Sequence, residues 1–155
     1  MEWQTLGVEP VLTPDEMAAA CRDFAGRGFK GLKVKVGDVV LAKGWDRSNM
    51  EAELAKLAAA IEATPRDVYI DADANQGWIS PQWTVSVLKR FAGADNLSIE
   101  QPLPYADLAG AAHVRAASGV PVILDESVWL PEQMLSIARM GACDRIVLKL
   151  SLIHI

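Results

Sequence analysis

Cysteine is scarce in this chain, two among 155 residues. Cys21 and Cys143 lie far apart and flank no metal-ligand spacing, so both read as free thiols in a reducing cytosol. Long apolar runs are missing as well. Hydrophobic residues make up 51% of the chain, ample for a core. They come in short stretches broken by charges, which excludes a bilayer-spanning helix. No basic stretch leading into an apolar one opens the sequence, so no signal peptide is expected. The net charge of −5 comes without a basic cluster, which argues against nucleic acid or an anionic membrane surface as partner. Linker-like and low-complexity segments are absent too. The length suggests one domain or part of a larger one, and a cytoplasmic location is expected.

What is present is an alternation of two hydrophobic patterns. Residues 32–36 (LKVKV), 68–73 (VYIDAD), 97–100 (LSIE), 120–125 (VPVILD) and 145–149 (RIVLK) read as strands, and residues 2–8 as an earlier one. Between them, residues 50–63, 81–92, 106–118 and 131–140 have helical spacing, and a helix from Thr13 to about Arg27 precedes them. Thr13 with Glu16 forms a capping-box pattern, and Ser80 followed by Pro81 suits a helix start. About six strands and five intervening helices therefore predict an α/β fold with a parallel sheet. An open dinucleotide-binding sheet should carry a Gly-rich turn after its first strand. Gly7-Val8-Glu9-Pro10 is not one. A (β/α) barrel instead predicts polar, reactive residues at the C-terminal ends of its strands.

Such residues are there. Lys33 and Lys35 sit on the second strand, Asp71 and Asp73 on the third, Glu100 on the fourth, Asp125 on the fifth and Lys149 on the sixth. Residues two apart on a strand face the same way, so each pair shares a side. Isolated charges buried on such a sheet would cost several kcal/mol each, which makes sense only if they meet in one solvated pocket. Three carboxylates on consecutive strands form a hard-oxygen site suited to magnesium. Two neighbouring lysines repel each other's protonation and should lower at least one pKa towards neutrality, as a general base requires. Each feature alone has a plainer reading. Lys33 and Lys35 could be an exposed edge pair, Asp73 to Gly77 a polar turn, Glu100-Gln101-Pro102 a loop start, and Asp125-Glu126-Ser127 a helix N-cap. Their joint occurrence at successive strand ends is much harder to explain in that way.

The runs GFKGLKVKVG (28–37), DADANQGW (71–78), IEQPLP (99–104), LDES (124–127) and RIVLK (145–149) resemble the enolase superfamily. More narrowly, they resemble the catalytic barrel of the mandelate racemase/muconate lactonizing enzyme group, with the sixth-strand lysine pointing to a muconate-lactonizing-like subgroup. The resemblance implies a Mg2+ cofactor held by Asp73, Glu100 and Asp125. It also implies Lys35 as catalytic base, Lys33 as its electrostatic tuner and Lys149 as the second acid/base. The activity implied is removal of the proton alpha to a carboxylate, with magnesium stabilising the enediolate. Racemisation, epimerisation, dehydration or cycloisomerisation of a small-molecule carboxylate would follow, in a complete enzyme expected to be a homo-oligomer.

Two departures from the family pattern shape the expected domain organisation. The family has an α+β lid domain ahead of the first barrel strand, and a Gly-Gly segment and two further strands after the sixth. Residues 1–149 are therefore expected to be a partial catalytic barrel, about six strands of eight, inactive alone. One codon choice for Leu150 to Ile155 (LSLIHI) spells CTG TCT CTT ATA CAC ATC, a transposon end used in sequencing libraries. Residues 150–155 are thus expected to be non-native adapter read-through, and His154 no catalytic residue. Two other readings compete: a Schiff-base aldolase using Lys149, and a non-catalytic half-barrel serving as an assembly module.

Overall fold

The structure, a computed structural model, describes residues 3–6 and 11–149. Strands β1 (Trp3–Leu6), β2 (Gly31–Lys35), β3 (Tyr69–Asp73), β4 (Leu97–Glu100), β5 (Val122–Leu124) and β6 (Arg145–Ile146) form one sheet. Helices α1 (Pro14–Gly26), α2 (Asp38–Lys43), α3 (Arg47–Ala63), α4 (Pro81–Leu88), α5 (Leu108–Ser118) and α6 (Pro131–Met140) connect the strands, and a 3-10 turn, Lys89–Phe91, extends α4. Every strand pairing is parallel, and the order across the sheet is the order along the chain. Glu2, Gly7 and Val8 of the expected first strand, and Leu150 to Ile155, lie outside the described residues.

The helix starts follow their local signals. Thr13 Oγ1 accepts from the Glu16 amide at 3.3 Å while Glu16 Oε2 accepts from the Thr13 amide at 2.8 Å, a complete capping box. Ser80 Oγ accepts from the Trp83 amide at 3.3 Å, and Pro81 fills the first turn. Two expectations need correction. The connection after β2 holds α2 as well as α3, giving six helices instead of five. Six residues between Gly37 and Gly44 are too few to show a helical period, and so short a helix depends on tertiary contacts. Strand β6 stops at Ile146, so Lys149 lies just beyond the paired segment.

Alternation along the strands divides the sheet into two chemistries. Leu32, Val34, Ile70, Ala72, Ile99, Val122 and Leu124 are buried in the hydrophobic core with Met17, Cys21, Leu57, Leu88 and Val114 of the helices. The other set is polar, and parallel register lines it up in rows: Lys33 beside Asp71 beside Ser98, then Lys35 beside Asp73 beside Glu100. Arg145 of β6 reaches Tyr69 of β3, its guanidinium hydrogen-bonded to the phenol oxygen and 5.0 Å from the ring centroid. Thr5 of β1 and Arg145 of β6 line the same cavity of about 290 Å³. The sheet is therefore curved round its polar face, as in a (β/α) barrel. Among the described residues, no helix is long and apolar enough to cross a membrane. Cys21 is buried and Cys143 half-buried, both free.

Candidate active site

The turn that follows β2 fixes where its lysines end. Gly37 approaches β3 so closely that a Cβ there would stand 1.9 Å from the Ala74 carbonyl oxygen. The buried Trp78 indole donates to the Val36 carbonyl at 2.8 Å, and the Val36 amide donates to the Asp73 carbonyl at 2.9 Å. Beyond β3 the backbone turns through left-handed conformations at Asn75 (φ +43°) and Gln76 (φ +69°), and beyond β4 at Gln101 (φ +37°). Strained non-glycine residues of this kind persist where surrounding contacts over-determine them, often at functional sites. Gln101 shows how. Its buried Oε1 accepts from the amides of Asp125 (2.9 Å) and Ser127 (3.2 Å), and its Nε2 donates to Ser127 Oγ (2.9 Å) and the Leu103 carbonyl (3.0 Å). One side chain on the β4 end thus clamps the loop on the β5 end.

On this frame the structure brings Lys33, Lys35, Asp73 and Glu100 together. Lys33 Nζ lies 2.7 Å from both Glu100 oxygens and 3.1 Å from Asp73 Oδ2. Lys35 Nζ donates to Asp73 Oδ2 at 2.6 Å and Asn75 Oδ1 at 2.7 Å. Asp125 stands apart from that group with Lys149, Nζ to Oδ1 2.9 Å. The carboxylates are deep, Glu100 at 0% and Asp73 at 1% exposure, whereas Lys149 is 40% exposed. Asp71 lies one layer below, within 3.5 Å of Ser98 Oγ.

Lys33 is not the lysine of the pair whose pKa is lowered. Burial does oppose the Lys33 ammonium. Its hydrogen bonds to Glu100 and the charges of Asp73 and Glu100 outweigh that and raise its pKa well above the ordinary lysine value. Burial pushes Glu100 up to about 9, reinforced by its hydrogen bond with Asp71 and the charges of Asp71 and Asp73, with Lys33 opposing. Asp71 is raised for the same leading reason, burial. Burial therefore resists full ionisation of these neighbouring carboxyl groups.

Buried neighbouring carboxyl groups raise the question whether a divalent cation fits. Among the described residues, no group of three or more His, Cys, Asp or Glu side chains is arranged to hold a metal ion. Instead each expected ligand is held by a lysine: Asp73 and Glu100 by Lys33, Asp125 by Lys149. The donor chemistry nevertheless fits a hard cation. It consists of carboxylate oxygens only, buried and spread over three adjacent strand ends, and among the described residues Asp125 Oδ1 accepts no hydrogen bond despite the nearby ammonium. Sequence reasoning missed Asn75, Gln101 and Glu126 as members of the site. Their only signal was polarity beside the singled-out residues. A larger groove, about 440 Å³ between α3 and α4 and lined by Trp45, Met50, Trp83 and Arg90, touches none of this chemistry.

The chain as a whole is similar to known proteins. A family model described as "Enolase C-terminal domain-like" matches residues 16–153. The L-Ala-D/L-Glu epimerase of Bacillus subtilis (strain 168) is 32% identical over 142 residues, 90% of this chain and 36% of that protein. The N-succinyl-L-Arg/Lys racemase of Bacillus cereus is 26% identical over 149 residues, 96% of this chain and 38% of that protein. The crystal structure of a dipeptide epimerase from Cytophaga hutchinsonii, complexed with Mg and the dipeptide D-Ala-L-Val, superposes with a TM-score of 0.78 at 26% identity. It covers 96% of this chain and 37% of that one. The chain thus spans rather more than a third of the length of these relatives.

Proposed function

The chain belongs to the enolase C-terminal domain-like family, and from that premise we propose that it carries the proton-transfer residues of a Mg2+-assisted racemase or epimerase. The substrate would be a small carboxylate bearing an acidic α-proton, with dipeptides the class its relatives suggest. We read residues 1–149 as one stretch of the catalytic barrel. The observation that carries the proposal is the pair of lysines on either side of the carboxylates in strand order. Lys35 closes β2 and Lys149 follows β6, while Asp73 and Glu100 close β3 and β4 and Asp125 directly follows β5.

In this reading Asp73, Glu100 and Asp125 would hold the Mg2+, whose charge would offset the negative charge that develops on the substrate carboxylate. Lys35 takes the α-proton. Asp73 Oδ2 and Asn75 Oδ1 accept from its Nζ and so hold it in one orientation. Lys33 remains charged, as its contacts to Asp73 and Glu100 require, and supplies a fixed positive field beside the base. Lys149 returns a proton to the other face, which inverts the carbon. The Schiff-base alternative for Lys149 has no observation of its own in its favour. A cytoplasmic homo-oligomer remains the expected state of the complete enzyme.

The test is α-proton exchange in deuterated water, followed by proton NMR on the whole protein with Mg2+ and a set of dipeptides. The expected result is loss of the α-proton signal, slowed by roughly 10²-fold or more in Lys35→Ala. No exchange in the parent, with Lys35→Ala changing nothing, would sink the proposal. Consumption of a β-hydroxy acid with loss of water would move it to dehydration.

A further inference from the structure

Lys35 is not oriented by Asp73 alone. Its second acceptor is Asn75 Oδ1, and Asn75 Nδ2 in turn donates to Glu126 Oε1 at 3.1 Å. A carboxamide carries its acceptor and donors on opposite sides of one rotatable group, so it can present either to a neighbour. An ionised carboxylate can only accept. With Glu126 on one side, the Asn75 amide must turn its nitrogen there and its oxygen to Lys35. Without Glu126, only the donation from Lys35 itself would hold the amide against flipping to face the base with two N–H groups.

The rest of the frame is built to keep this arrangement. The Asn75 backbone is held in its left-handed conformation, its amide donating to Asp73 Oδ1 at 3.0 Å. Glu126 lies between the two residues whose amides both donate to Gln101 Oε1, so its backbone is pinned on either side. The other oxygen of Glu126, Oε2, is buried and makes no hydrogen bond among the described residues. Among the described residues, the hydrogen bond that the carboxylate accepts comes from Asn75.

We infer that Glu126 is a positioning residue for Lys35, acting through Asn75: it fixes the amide that aims the base, and it touches no reacting atom. The inference rests on Lys35 being the base for one face of the substrate. It predicts an asymmetric effect, because Lys149 is not part of the relay. Two variants separate its elements. Glu126→Leu removes the acceptor at similar size, whereas Glu126→Gln keeps an acceptor oxygen without the charge.

The first readout does not depend on turnover. The side-chain amide protons of Asn75, assigned by their disappearance in Asn75→Leu, should exchange slowly with solvent in the parent. They should exchange fast in Glu126→Leu and slowly again in Glu126→Gln. The second readout is solvent deuterium exchange from each of two epimeric substrates, with the face served by each lysine assigned from Lys35→Ala and Lys149→Ala. In Glu126→Leu, exchange on the Lys35 face should fall by about tenfold to a hundredfold, as for a misplaced catalytic group, with a much smaller loss on the Lys149 face. Glu126→Gln should recover most of it. Equal losses on both faces, or an Asn75 amide indifferent to Glu126→Leu, would overturn the inference. If the parent exchanges neither epimer, the proposed function is what has failed, and the amide readout alone decides whether Glu126 fixes Asn75.

Discussion

A methyl group at position 37 has nowhere to go. The Ala74 carbonyl that a Cβ would strike at 1.9 Å belongs to the residue between Asp73 and Asn75, the two acceptors of Lys35. Backbone oxygen cannot swing aside as a flexible side chain can. We expect Gly37→Ala to destabilise the protein by about 1–3 kcal/mol, as overpacking does, seen as a lowered midpoint in urea unfolding. Unchanged stability would mean that the β2 turn is looser than drawn. At this scale the sequence was informative wherever the strand period of two applied. It placed Lys33, Lys35, Asp71, Asp73 and Glu100 on one side, where the register indeed aligns them. It was silent on Asn75 and Glu126, because a hydrogen bond across 51 positions leaves no local pattern. Nor did it show the raised pKa of Lys33, since the neighbours of opposite charge that raise it are invisible in a linear spacing.

Helices α2 and α3 are joined by buried charge. Glu53 of α3 accepts from the Val39 amide at 2.5 Å and the Val40 amide at 3.4 Å, which satisfies donors at the start of α2. Lys56 sits 2.8 Å from Glu53 and is also bound to Asp38, and Glu53 and Lys56 are almost completely buried. This tertiary cap explains why α2 forms although its own sequence gives no helical signal. Burial raises Glu53 from 4.5 to about 7, opposed by Lys56 and assisted by the charge of Asp38. A carboxyl whose folded pKa is raised favours folding below its unfolded value and loses that contribution as pH rises through the folded one. Stability should therefore decline between about pH 4.5 and 7, by roughly 1–3 kcal/mol. Glu53→Gln should flatten that slope in urea titrations run across the range. An unchanged slope would assign it to other groups.

Over the whole molecule, the strand-end charges form two groups, Lys33, Lys35, Asp73 and Glu100 on β2 to β4 and Asp125 with Lys149 after β5 and β6. If Mg2+ binds as proposed, it competes with Lys33 and Lys149 for the same carboxylate oxygens, and the melting temperature should rise with the logarithm of its concentration above the dissociation constant. The gain should approach about 2.7 kcal/mol at a hundred times the dissociation constant. Glu100→Gln should abolish the shift, and a shift that survives it would place the ion elsewhere. The α/β pattern and the parallel sheet were legible as a whole because strands and helices alternate in kind of hydrophobic period, whereas the curvature needed Arg145 to be seen reaching Tyr69.

The order of the sheet has a further consequence, in biosynthesis. Each strand pairs with the one made just before it, so no pairing must wait for a distant part of the chain. A nascent polypeptide leaving the ribosome at about 5–20 residues per second could add one βα unit at a time to a growing edge. The edge left bare at any moment is the one that the next strand to be synthesised will cover, so translation and folding proceed in the same direction.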